Sequence, residues 1–212
     1  MKQKQFSTLK EIIQDYQSNL EQSLSASYDA IDSYEKIVKG VHLVSKKAGI
    51  SACNPPASKI TNLVFVVGNS HQSRIDANKL ANAITILSSS NILNGRFTDF
   101  EDIFDKVCGL LVGSVFTGPC LAIYDISFRI SWRIYKQTGN DVRPKKYVYL
   151  FRGAYEGACK LLRAGKLNYR EPRTSFDQYF PKSLNEWDIE NILCIYKNSI
   201  KLIIPQTTKS NP

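Results

Sequence analysis

The feature that most constrains this chain is a pair of apolar rows at helical spacing, separated by a glycine-bearing connection. Phe100, Ile103, Phe104, Val107, Leu110 and Leu111 recur at steps of three and four, which places them on one face of a helix. Thr98 stands ahead of Asp99 and Glu101, the order of a cap followed by first-turn acids. Val112-Gly113-Ser114-Val115-Phe116-Thr117-Gly118 forms the connection, and Pro119 suits the first position of a new helix. Leu121, Ile123, Tyr124, Ser127, Phe128, Ser131, Ile134 and Tyr135 continue that helix, which stops near Gly139-Asn140. Residues 98–140 thus read as helix, tight turn, helix, the physical core of a helix-hairpin-helix unit.

The flanking segments extend the helical pattern. Leu9, Ile12, Ile13 and Tyr16 mark a first helix with Ser7 as its cap. Tyr28, Ile31, Tyr34, Ile37, Val38 and Val41 mark a second, running to about Gly49, so residues 1–50 read as a helical pair. Asn54-Pro55-Pro56 requires a loop. Leu63–Val67 is rich in valine and reads as a short strand or a buried helical turn. Asp76 can cap a helix through Leu80, Ile84 and Leu87 that ends at Ser88-Ser89-Ser90. Gly153, Ala154, Gly157 and Ala158 are small residues at helical steps, which suits close backbone packing. Leu184, Trp187, Ile189, Ile192, Leu193 and Ile195 read as a last core helix, with Asp188 and Glu190 on a solvated face. The predicted fold class is all-α: one compact helical domain over residues 1–204, with 205–212 as a flexible tail.

Composition sets the broad class. With 43 % hydrophobic and 22 % charged residues over 212 positions, the chain can bury a core without staples. That excludes collagen-like, disulfide-scaffold and wholly disordered readings. No apolar stretch approaches the roughly 20 residues of a membrane span, and the polar N-terminus carries no signal-peptide pattern. The 5 cysteines form no C-x-x-C pair and are odd in number, so free thiols and a cytoplasmic location are expected. Cys108, Cys120, Cys159 and Cys194 read as small core residues. No motif calls for a metal or a cofactor.

Charge points to a partner. The formal net charge is +9, and residues 129–173 hold 12 basic residues against 3 acids, so the remainder is balanced. Such a block is the electrostatic footprint of a polyanion, nucleic acid first, or of an acidic partner protein. At the expected start of the second hairpin helix, backbone N–H groups near Gly118 and Cys120 can hold one phosphate. Arg129, Arg133 and Lys136, at steps of four and three, form a strip for others, with Lys145, Lys146 and Arg152 beyond it. Asp125, four residues before Arg129, can pair with it as a surface pair. An enzyme acting on nucleic acid or a phosphorylated small molecule is the alternative. It would gather His71, Arg74, Asp125, Tyr149 and Arg152 in a pocket, with His71 titrating near neutrality.

Four stretches resemble a family of uncharacterised, mainly bacterial proteins with a helix-hairpin-helix-like centre. They are Ser70-His71-Gln72-Ser73-Arg74-Ile75, Gly118-Pro119 through Ile130, Val148-Tyr149-Leu150-Phe151-Arg152-Gly153 with Gly157-Ala158, and Ile189-Glu190-Asn191-Ile192-Leu193-Cys194-Ile195-Tyr196. The resemblance implies a helical fold and no particular activity. In that family the hairpin more often reads glycine, apolar residue, glycine, and the position of Phe151 is often histidine. A more distant resemblance is to helix-hairpin-helix DNA glycosylases, whose catalytic acid follows the hairpin. The corresponding residues 147–152 contain neither acid nor histidine, so the resemblance implies a relative without that chemistry.

The expectation is therefore a nucleic-acid-binding protein that does not read base sequence. The enzyme and a module for an acidic partner protein are the alternatives.

Overall fold

The structure, a computed structural model, describes residues 5–45, 63–68 and 72–203. In chain order the helices are α1 (Leu9–Asn19), α2 (Glu21–Asp29), α3 (Tyr34–Lys39), α4 (Ala77–Ser90), α5 (Phe100–Leu111), α6 (Leu121–Thr138), α7 (Gly153–Leu162), α8 (Glu186–Ile195) and α9 (Lys197–Ile203). Four strands accompany them: β1 (Val41–Ser45), β2 (Leu63–Val67), β3 (Tyr147–Tyr149) and β4 (Arg170–Pro172). They make two antiparallel two-stranded sheets, β1 with β2 and β3 with β4. The described chain is thus mostly helical with two small sheets. No helix among the described residues is long and apolar enough to cross a membrane.

The chain divides into two compact units. One joins Met1–Tyr16 to Lys145–Pro212; the other is Gln17–Pro144. The second is called the central unit below, and the first the terminal unit.

The central unit is built on the predicted helix pair. Phe100, Ile103, Phe104, Val107 and Leu111 of α5 are buried. α6 buries Ala122, Ile123, Tyr124, Ile126, Ser127, Phe128, Arg129, Ile130, Ser131, Trp132 and Ile134, so it is enclosed on most sides. An aromatic chain runs Phe100–Tyr124–Phe128–Trp132, with centroid spacings of 6.0, 6.2 and 5.9 Å, and Tyr28 of α2 closes on Phe128 at 4.8 Å. Each such side chain contributes about 1.5–3 kcal/mol by leaving water. Asp99 caps α5 by accepting from the Asp102 N–H, one position beyond Thr98, whose own N–H donates to Asp102. Asp76 caps α4 as the sequence implies, accepting from the N–H groups of Asn78 and Lys79.

The connection between α5 and α6 differs in detail from a tight hairpin. Val112 and Phe116 form an isolated bridge, and the Gly113 N–H donates to the Phe116 carbonyl at 2.8 Å. The left-handed residue is Gly113 (φ 84°), where glycine costs least. Phe116 is not a positive-φ residue. Pro119 precedes the N-cap Cys120 instead of opening the helix, which starts at Leu121.

The second N-terminal run is not one helix. α2 ends at Asp29, and Ser33 caps a new helix by accepting from the Lys36 N–H. Gly40 (φ 77°) ends α3, and the β-branched stretch from Val41 pairs with β2. Periodicity carries across these breaks because Ile37, Val38 and Val41 are all buried. Leu63–Val67 resolves as a strand, with Val41 opposite Val67 and Leu43 opposite Phe65. The Asn54-Pro55-Pro56 loop and the tail 205–212 lie outside the described residues.

In the terminal unit, α1 buries Ile12, Ile13 and Tyr16. Its cap is Thr8, which accepts from the Glu11 N–H at 3.2 Å, while Glu11 reaches back to Ser7. The small residues of α7 meet α8. A β-carbon at Gly157 would collide with the Leu193 carbonyl, and one at Gly153 would lie 2.8 Å from the Cys194 sulfur. Glycine therefore sets how closely these helices approach. Asp188 and Glu190 are not solvated: Glu186, Asp188 and Glu190 are all buried. α8 sits in the interior, and its alternation of acid and apolar residue conceals this from a pattern argument. The four described cysteines are half-buried.

Candidate polyanion-binding surface

The two units differ in charge. The terminal unit holds 15 basic and 8 acidic residues, a net of +7, and the central unit 13 and 11, a net of +2. The basic block seen in sequence is thus divided. Arg129, Arg133, Lys136 and Arg143 belong to the central unit, and the members from Lys145 onward belong to the terminal one.

The predicted strip on α6 does not form. Arg129 is 4 % exposed. Its Nη1 donates to the Ile37 carbonyl at 2.9 Å, and its Nη2 lies 3.5 Å from Gln72 Oε1 and 3.6 Å from Asp125 Oδ2. Gln72 Nε2 donates to the same Asp125 oxygen at 2.9 Å. This is a buried network, not the expected surface pair, and it joins α3, α6 and the turn at Gln72–Arg74. The spacing of charges on α6 misleads because that helix is enclosed. Lys136 is exposed but lies 3.0 Å from Asp29, which also accepts from Trp132 Nε1. Arg133 is half-buried. Arg143 packs over Tyr135 at 4.0 Å and Trp132 at 5.0 Å and pairs with Asp141 at 2.6 Å.

At the start of α6, Gly118 and Cys120 are half-buried, and the backbone amides that open the helix are those of Leu121, Ala122 and Ile123, following the N-cap Cys120. No cationic side chain lies in that first turn. Of the alternative pocket, His71 lies outside the described residues. Arg74 is exposed, Asp125 is engaged by Gln72 and Arg129, and Tyr149 is 1 % exposed inside the terminal unit. Tyr149 and Asp125 belong to different units.

The remaining predicted residues lie together in the terminal unit. Lys145 and Lys146 lead into β3, and both are exposed. The Lys146 carbonyl accepts from the Arg173 N–H at 2.9 Å, just past β4. In the β3–β4 pair, Tyr147 faces Pro172, Val148 faces Glu171 and Tyr149 faces Arg170. The Leu150 N–H continues the ladder to the Tyr169 carbonyl at 2.7 Å. Then the chain turns sharply into α7 at Arg152.

Arg152 is exposed and adopts φ 46°, ψ −109°. A residue with a β-carbon is strained there, at a cost of about 1–3 kcal/mol. A β-carbon at the following Gly153 would crowd the Cys194 sulfur, and Arg152 carries the side chain at this bend. Arg163 at the other end of α7 is exposed and also left-handed (φ 53°), and Lys166 is exposed in the loop beyond.

The same unit carries a small group of aromatic rings around Arg170. Phe151 and Tyr169 stack at 5.7 Å with planes 21° apart. The Arg170 guanidinium lies 5.6 Å from the Tyr169 ring and 5.2 Å from the Tyr147 ring. Phe151 is 9 % exposed and Tyr169 39 %, so Tyr169 is the outer ring of the stack. An isolated tyrosine beside an arginine gives no periodic signal. Only the return of β4 along β3 brings Tyr169 onto Phe151.

Among the described residues no cluster of three or more histidine, cysteine or carboxylate side chains is placed to hold a metal ion. Comparison with known proteins returns no matching family model, curated protein or solved structure. The helix-hairpin-helix resemblance therefore rests on the sequence motifs alone.

Proposed function

We propose that this protein binds nucleic acid through its phosphates, without reading base sequence, on the surface of the terminal unit around β3, β4 and α7. The observation that carries this reading is Arg152, an exposed cation held in a strained backbone conformation at the head of α7. Glycine would occupy that conformation without strain, so stability does not account for arginine there. The +7 of the terminal unit supports the reading, with Lys145, Lys146, Arg163 and Lys166 exposed beside Arg152 in the chain. Arg129 is left out, because its guanidinium is committed to the interior. The α6 start and Lys136 are secondary.

The test is binding of a labelled oligonucleotide to the full chain across a salt series. Five cations at about 0.7 each predict a slope of log affinity against log salt near about −3.5 for a single strand. Replacing Arg152, Arg163 and Lys166 together by alanine should flatten that slope by about 2. Absence of binding at low salt overturns the reading, as does an unchanged slope in the triple variant. Displacement of the oligonucleotide by polyglutamate at equal charge concentration points instead to an acidic protein partner.

A further inference from the structure

The two small sheets treat their edges differently. β4 consists of Arg170, Glu171 and Pro172, the charges and proline that close an edge to further pairing. β2, Leu63-Val64-Phe65-Val66-Val67, carries no charge, proline or glycine. One of its edges is taken by β1, and among the described residues no third strand takes the other. Phe65, Val66 and Val67 are 46, 39 and 41 % exposed. Successive strand residues point to opposite faces, so both faces of β2 are open to water at these positions. Consecutive large apolar side chains left in water mark an interaction site.

The register fixes which backbone groups stand on the open edge. Gly68 turns both of its groups toward β1: its N–H donates to the Gly40 carbonyl at 2.8 Å, and its carbonyl accepts from His42 Nδ1. In an antiparallel ladder, inward and outward backbone groups alternate along the strand. Val64 and Val66, opposite Val44 and His42, therefore turn theirs toward β1 as well. Leu63, Phe65 and Val67 turn theirs away from it. This outward set is symmetric about Phe65. A two-fold axis at Phe65 sets that residue against its own copy and Leu63 against Val67, and each outward N–H then meets a carbonyl.

Side chains and charge agree with that pairing. Phe65 would face Phe65 at an α-carbon separation of about 5.5 Å, an aromatic pair that adds to the ladder. No like charges oppose one another along β2. The central unit, at +2, also repels its own copy far less than the terminal unit, at +7, repels its own.

We propose that β2 is the interface of an isologous dimer, in which two copies of this chain pair their β2 edges antiparallel about Phe65. The product is one four-stranded sheet in the order β1-β2-β2-β1. A two-stranded ribbon is marginal by itself, and the added strands relieve that. Main-chain hydrogen bonds supply the affinity, as in other cases of strand addition. With five residues from each copy the ladder is short, so the dimer is reversible and concentration-dependent. The proposal does not depend on the nucleic-acid reading, which concerns the other unit.

The test is sedimentation equilibrium of the full chain without oligonucleotide. It should show monomer and dimer in exchange, with a dissociation constant below about 100 μM. Phe65→Lys and Phe65→Glu each set like charges against one another and should weaken the dimer by about tenfold or more. Mixed in equal amounts, the two variants should associate again, because lysine then faces glutamate across the axis. Misfolded chains would not recover a defined dimer in this way. Phe65→Pro removes an outward N–H and no bond to β1, so it should leave the circular dichroism of the monomer intact and abolish the dimer. A dimer that persists in the Lys and Glu variants, or variants that fail to reassociate on mixing, overturns the proposal. A wild-type chain that stays monomeric throughout that range also overturns it, and leaves the edge to a strand of a different protein.

Discussion

The Tyr16 hydroxyl donates to Asp188 Oδ1 at 2.8 Å, joining residues 172 positions apart in the sequence. Both side chains are buried, and the second Asp188 oxygen accepts from the Asn185 backbone and side-chain N–H groups at 3.3 and 3.2 Å. This bond ties α1 to α8 within the terminal unit, so the beginning of the chain completes a core made chiefly by its end. Tyr16→Phe removes the hydroxyl and leaves a buried carboxylate short of a donor. Stability should fall by about 1.5–3 kcal/mol, read as a lower urea midpoint with an unchanged slope.

Gly157 and Gly109 make opposite predictions for the same substitution. Gly157→Ala sets a β-carbon against the Leu193 carbonyl, which belongs to a helix backbone and cannot yield cheaply. A loss of about 1–3 kcal/mol is expected. Gly109 lies within α5 with nothing near its absent β-carbon, so Gly109→Ala should stabilise by about 0.5–1 kcal/mol. Paired thermal melts check both signs at once.

Arg129→Met should unfold the central unit and should not act as a selective binding mutation. Removing the guanidinium leaves the Ile37 carbonyl without its buried donor and takes from the half-buried Asp125 the cation beside it, although Gln72 still donates to that carboxylate. The expected cost is about 3–5 kcal/mol, read by circular dichroism and denaturation. Alanine at the exposed Lys136 should shift the midpoint far less.

Arg152→Gly should raise stability while lowering affinity for an oligonucleotide. The gain, about 1 kcal/mol, comes from relieving the positive φ, offset in part by the greater freedom of glycine in the unfolded chain. A variant that is both less stable and unaltered in binding would show the residue to be structural.

Tyr196 sets an alkaline limit. Burial and the hydrogen bond to Asp15 at 2.7 Å push its phenol well above the ordinary value of 10.0. The folded state therefore favours the protonated form. Its contribution is fully present below pH 10.0 and is lost as the pH rises toward the folded value, because the unfolded chain ionises first. Stability should decline above about pH 10, and Tyr196→Phe should flatten that decline while costing stability at neutral pH. A pH series of denaturation midpoints measures both.

Local patterns in the sequence were sufficient for many elements. The apolar row from Phe100 to Leu111, the cap at Asp76 and the small residues at Gly153 and Gly157 each act over one or two helical turns, so their physics is written in neighbouring residues. The valines of Leu63–Val67 favoured a strand for the same reason. Other features depend on which side of an element is enclosed. Arg129 keeps the spacing of a surface strip, yet the packing of α3 and the turn at Gln72 makes it an interior residue. Asp188 and Glu190 alternate with apolar residues, yet α8 is covered by its neighbours.

The candidate surface divides along the same line. Its charge was legible as a basic block, since charge is a sum over residues and needs no fold. The conformation of Arg152 and the stack of Tyr169 on Phe151 were not. Residues 151 and 169 meet only because β4 returns antiparallel to β3, and the positive φ of Arg152 falls where the chain passes from β3 into α7. Sequence by itself determined most of the helical segments and the basic balance of the chain; the tertiary structure decided which cations face water, because burial is a property of the neighbours and not of the residue.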